Sequence, residues 1–168
     1  MGNKDIQNKV FTSRANTLYK NKTAMTSTQQ IYLHNLYGGE LNFPVNGINL
    51  DIAFPNDKIY IEYDGSGHMM SVTIGNETEK EFLNRERIRF FGLRRQGWKV
   101  IRIISEKSRD KIPSDDKLFE MFNYAINYFN TGHTYIKFDI DNSKIITSQF
   151  EEIYDYGILR NITKSMIS

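Results

Sequence analysis

Asp51, Glu62, Asp64 and His68, all able to hold a cation or move a proton, interrupt or follow two strongly apolar runs joined by a polar turn in one stretch, LDIAFPNDKIYIEYDGSGH, from Leu50 to His68. Carboxylates gathered near the end of paired strands repel one another unless a divalent cation or a cationic side chain lies among them. An imidazole titrating near neutrality can take a proton from a water nucleophile. The chain has no cysteine, so a metal here would sit on oxygen or imidazole ligands, and hard cations such as magnesium are the natural candidates. The bland alternatives are a row of solvated edge acids and a surface histidine after a turn.

The elements that must position these groups are two strands. Asn46-Gly47 is a strong hairpin turn signal, and the spacing predicts a short strand over 42–45 before it and a strand over 48–54 after it. Pro55-Asn56-Asp57 makes the next turn and leads into a strand over 58–64. Side chains alternate along a strand, so Ile48, Leu50, Ile52 and Phe54 share one face while Asn49, Asp51 and Ala53 share the other. In the partner, Ile59, Ile61 and Tyr63 oppose Tyr60, Glu62 and Asp64. Pairing the apolar faces on one side therefore gathers the acids on the other. Gly65-Ser66-Gly67 then ends the strand and allows unusual backbone angles before His68.

Helices are expected on both sides of this hairpin. Ser27 opens one that Gly38-Gly39 stops, with Gln30 at capping-box spacing. Thr78 and Glu81 open a long one ending near Gln96-Gly97, with Phe82, Phe90 and Leu93 inward. Glu86 and Arg89 fall on or beside that stripe, either as an internal ion pair or, for Glu86, to orient His68. Arg85, Arg87, Arg94 and Arg95 lie mainly elsewhere on this helix, facing phosphates or simply solvated. WKVIRII, 98–104, reads as a buried strand carrying Arg102, returned to the same sheet by the long helix. Asp115 or Ser114 caps a further helix to Gly132, followed by strands over 135–140 and 144–147, with a polar and helical tail after Phe150. His133 reads as a surface residue, and the acids from Asp139 make a poor calcium loop because Lys144 stands where glycine is needed.

With 168 residues, 39% hydrophobic and 25% charged, one domain with short extensions is expected. The segment 1–25 reads as a basic arm, either solvated or a short helix neutralising DNA phosphates through Lys4, Lys9 and Arg14; 26–150 forms the main domain and 151–168 an extension. A net charge of +2 means that a nucleic-acid partner needs a local basic patch. No apolar run approaches a membrane span and the N-terminus lacks a signal-peptide core, so no membrane partner and a cytoplasmic location are expected.

An Asp in a first strand, E-x-D-G and a following His, a basic helix with an inward acid, and then G-W-K-V-I-R-I resemble the restriction-endonuclease-like (PD-(D/E)xK) superfamily. Over Ser27 to Ser105 the chain is most similar to the branch of very-short-patch-repair endonucleases and phage homing endonucleases with an E-D-x-H-D constellation. The resemblance implies an α/β fold with a mixed central sheet flanked by helices in the order αβββαβ, here extended by a C-terminal helix and β-hairpin. It implies a metal-dependent DNA endonuclease in a bacterial or phage-infected cell, with double-stranded DNA as partner and Mg2+ or Mn2+ as cofactor. Asp51 matches the metal-binding Asp, with Glu62, Asp64 or a backbone carbonyl completing the site. His68 matches the general base and Glu86 the acid that orients it; Gln30 stands where the family usually has a helix Glu. Arg89 and Arg102 would stabilise the transition-state phosphate or pair with the acids, and Lys4, Lys9, Arg14 and Arg85 would contact DNA. Asp64 replaces the superfamily's usual Lys, which favours the histidine-based branch; the absence of cysteine tilts the resemblance toward the homing type. A double-strand break would require a homodimer or two successive nicks. The alternative is a nuclease-like fold retained as a DNA-binding or assembly module that does not cut.

Overall fold

A computed structural model describes residues 3–22, 24–67 and 70–168, with side chains described from residue 12 onward except that of residue 71. Among these residues the chain is an α/β protein with a seven-stranded mixed sheet and four helices of ten residues or more. The elements run α1 (Asn3–Asn21), α2 (Thr28–Tyr37), β1 (Glu40–Val45), β2 (Ile48–Phe54), β3 (Ile59–Asp64), α3 (Met70–Thr73), α4 (Glu79–Arg95), β4 (Lys99–Ile104), α5 (Asp115–Phe129), β5 (Tyr135–Asp139), β6 (Lys144–Thr147) and β7 (Glu151–Ile153). The strands are ordered in the sheet as they occur in the chain. Two compact units are distinguished, residues 1–62 with 162–168 and residues 63–161, with the boundary inside β3. No helix among the described residues is long and apolar enough to cross a membrane.

In the first unit the turn predicted at Asn46-Gly47 has φ of 54° and 78°. Positive φ at both central residues is what a type I′ hairpin turn requires, and Asn-Gly is its favoured sequence. β1 and β2 pair antiparallel with Phe43 opposite Leu50, and β2 and β3 pair antiparallel with Ile52 opposite Ile61 and Ala53 opposite Tyr60. Leu50, Ile52, Ala53 and Ile61 are fully buried, so both faces of this hairpin are covered at its middle. Leu50, Ile52 and Ile61 each contribute ~1.5–3 kcal/mol relative to exposure. The segment expected as a separate arm is helix α1, whose C-terminal half packs on β1 and β2. The small side chain of Ala15 is buried there, Asn49 Nδ2 donates to its carbonyl (2.9 Å), and Tyr19 meets Phe43 edge to face.

The second unit carries β4 and β5 in parallel, joined through α5. Ser114 is the α5 cap, accepting from Lys117 N, and Leu118, Met121, Ala125 and Phe129 form the buried stripe at helical spacing. The Thr78–Glu81 capping box opens α4 as expected, and Gly97 past its end has φ of 89°. A single helical turn, α3, precedes α4, and the tail expected to be helical begins with β7, antiparallel to β6. All three β7 residues are exposed, so no hydrophobic alternation announces this strand.

Candidate active site

The site is built from the hairpin upward. Because Ile52 faces Ile61 and Ala53 faces Tyr60, continuing the register by one residue sets Asp51 across from Glu62 on the face shared by Ala53 and Tyr60. Directly opposed residues of antiparallel strands have Cβ atoms about 4.5–5.5 Å apart. Both side chains are part-exposed at the end of an apolar ladder. Two carboxylates so placed could together offer oxygen ligands to a hard divalent cation.

The Asp51 backbone is fixed by a network of neutral amides. Gln30 is 6% exposed, and its Nε2 donates to Asn42 Oδ1 and to the Asp51 carbonyl, each at 3.0 Å. Asn42 Nδ2 donates in turn to Thr26 Oγ1 (2.8 Å), and Asn49 Nδ2 donates to the Asn42 carbonyl (2.8 Å). Asn42 adopts a φ of 54°, in the left-handed region that asparagine tolerates better than most residues. Ser27 does cap α2 by accepting from Gln30 N (3.1 Å), but the Gln30 side chain does not close the capping box that the spacing suggested; its amide group is directed instead at Asn42 and Asp51. Gln30 therefore stands next to the Asp51 main chain as a strut.

Asp64, in the second unit, has a different environment. It is 3% exposed, and one carboxylate oxygen receives both Arg102 Nη2 (2.5 Å) and Arg102 Nε (3.1 Å). A carboxylate buried against a guanidinium is already neutralised, and bringing a further cation to it would add like charge beside Arg102. Asp64 is thus paired with Arg102, which favours the structural-acid alternative over that of an extra metal ligand.

Next to it lies a residue that the sequence did not single out. Asp110 Oδ1 accepts from Tyr63 Oη (2.7 Å) and Ser66 N (3.0 Å), and Ser66 Oγ donates to Asp110 Oδ2. Arg109 and Asp110 have φ of 53° and 64°, a left-handed pair that turns the loop back toward the end of β3. Gly65 is obligatory beneath it, since a Cβ at that position would lie 1.9 Å from Asp110 Oδ1. Burial first, then the Asp110 bond, push the Tyr63 phenol far above its ordinary range. The turn predicted to deliver His68 is thus pinned from behind by Asp110.

His68 itself lies outside the described residues, so its contacts, including any with Glu86, are not described. Glu86 is half-buried on α4, with Arg85 Nη1 at 3.8 Å. Arg85 is largely exposed, donates to Glu77 Oε1 (2.8 Å) and lies over the Phe82 ring. Arg89 is half-buried on the same helix, and Arg14 is exposed on α1. Lys4 and Lys9 belong to α1, and their side chains are outside the described residues. Among the described residues no three His, Cys, Asp or Glu side chains form a metal-holding group. Comparison with protein-family models, with curated proteins and with solved structures found no match.

Proposed function

We propose that this chain is a metal-dependent DNA endonuclease on a restriction-endonuclease-like core, of the homing or very-short-patch-repair type. The observation that carries the reading is the β2–β3 register, which sets Asp51 and Glu62 on one face of a hairpin whose main chain Gln30 holds in place. Apart from the single turn α3 inserted between β3 and α4, the element order α2, β1, β2, β3, α4, β4 agrees with the order that the resemblance implies.

The donor set suits magnesium, which keeps several waters and is commonly bound by only one or two carboxylates. Asp51 and Glu62 would hold it, and when bound it would supply charge neutralisation at the scissile phosphate. Asp64 is left out of this set because Arg102 occupies it. His68, six residues after Glu62 in the chain, is the base in this reading, taking the proton from the attacking water. Asp110 acts as a positioning residue by fixing the Gly65-Ser66 turn that precedes His68.

Incubating the purified chain with supercoiled plasmid tests this. Nicking with magnesium and none with a chelator is expected, with His68→Ala strongly impaired. DNA binding without any nicking at high protein concentration would refute the enzyme reading, and full-rate cleavage by His68→Ala would refute the assigned base.

A further inference from the structure

Helix α4 has an outer face that its own packing does not use. Phe82 and Leu93 are its buried residues, whereas Ile88 is 62% and Phe91 42% exposed. At ~100° per residue, Ile88 and Phe91 lie roughly 120–180° round the helix from the buried pair. An exposed Ile and Phe one turn apart form a local apolar patch, and Gly92 beside them offers no bulk: a Cβ built there meets nothing within 4 Å.

Charges flank this patch in a symmetric pattern. Glu81 lies seven residues before Ile88 and Arg95 seven after, both exposed. Seven residues make about two turns and return to within ~20° of the same line. The stripe therefore reads acid, apolar centre, base. A helix laid antiparallel on an identical helix, crossing at Ile88, brings each Glu81 to the other's Arg95 and packs Ile88 on Ile88 with Gly92 admitting the close approach. The Glu81 contacts to Thr78 in the capping box both use Oε1, so the second oxygen is not part of the cap. A phosphate backbone would instead meet a carboxylate at one end and two apolar side chains in the middle of its footprint, which disfavours DNA as the occupant of this stripe.

We infer that two copies of this chain associate isologously through the outer face of α4. The inference does not rest on nuclease chemistry, although a symmetric pair would supply the second centre that a cut across both strands needs.

Sedimentation equilibrium of the full chain over a wide concentration range reads the result as mass. The wild type is expected to reach the mass of two chains. Ile88→Glu is expected to raise the dimer dissociation constant about tenfold or more, as placing an unpaired charge at an interface centre does. Should Ile88→Glu lower the melting temperature, Arg95→Glu at the exposed end of the stripe gives the same readout, and the double variant E81K/R95E is expected to restore dimers by exchanging the charges. A wild type that stays monomeric at every concentration, or a dimer unaffected by both single variants, would overturn the inference. Monomeric protein whose DNA affinity falls in Ile88→Glu would overturn it in favour of a nucleic-acid surface.

Discussion

The polar networks around Asp51 in one unit and around Asp64 and Asp110 in the other use different chemistry. In the first, neutral amides carry the load: Gln30, Asn42 and Asn49 bond to one another and to the carbonyls of Ala15 and Asp51. In the second, carboxylates do: Asp64 takes Arg102, Asp110 takes Tyr63 and Ser66, and Asp141 takes the Glu106 and Ser108 main-chain N–H groups. The contrast separates two acids that the sequence places together in one hairpin. Gln30 reaches Asp51 through its carbonyl, a contact that does not depend on that side chain being charged. Asp64 is held through its carboxylate, and that contact consumes the group that a metal site would need.

Substitutions should divide along the same line. The largest effect is expected for Asp64→Ala, which leaves the Arg102 guanidinium without its buried partner and should cost about 3–5 kcal/mol in denaturant unfolding. Asp110→Ala removes the carboxylate acceptor of the Tyr63 hydroxyl and of the exposed Ser66 N–H, a loss of about 2 kcal/mol with matching loss of amide-exchange protection at Ser66. Gln30→Ala removes neutral bonds only, for about 1–2 kcal/mol, and should leave the melting temperature similarly displaced across mildly acid and neutral pH. A Gln30→Ala penalty exceeding that of Asp64→Ala would break the contrast.

The smallest effect, about 1 kcal/mol near neutrality, is expected for Tyr63→Phe. Its pH dependence is more informative. The raised Tyr63 value means that the fold favours the neutral phenol. That contribution is full below about pH 10, where unfolded tyrosine starts to ionise, and is lost as pH rises toward the folded-state value. Stability above about pH 10 should therefore fall less steeply in Tyr63→Phe than in the wild type, and parallel alkaline curves would contradict the burial assigned to this hydroxyl.

What could be read from the sequence was local. Asn46-Gly47, the alternation over 48–54 and 59–64, and the Thr78–Glu81 spacing each carry their own geometry, so the hairpin and α4 were legible. The role of Gln30 was not, because capping-box spacing predicts a local bond while its acceptors arrive from strands that only tertiary packing brings near. Asp64 and Glu62 look alike as letters. Only the position of Arg102 one strand away distinguishes the buried ion pair from the acid opposite Asp51. Asp110 had one indirect signal, the glycine at 65, whose need for space becomes apparent once the returning loop is in place.

The separation of the two acids is tested most directly by Asp51→Asn, assayed for magnesium-dependent plasmid nicking alongside its melting temperature. Asparagine keeps the carbonyl that Gln30 binds and removes the charge proposed to hold the cation. A melting temperature close to wild type with nicking lost is the predicted result; undiminished nicking by a well-folded Asp51→Asn would contradict the account.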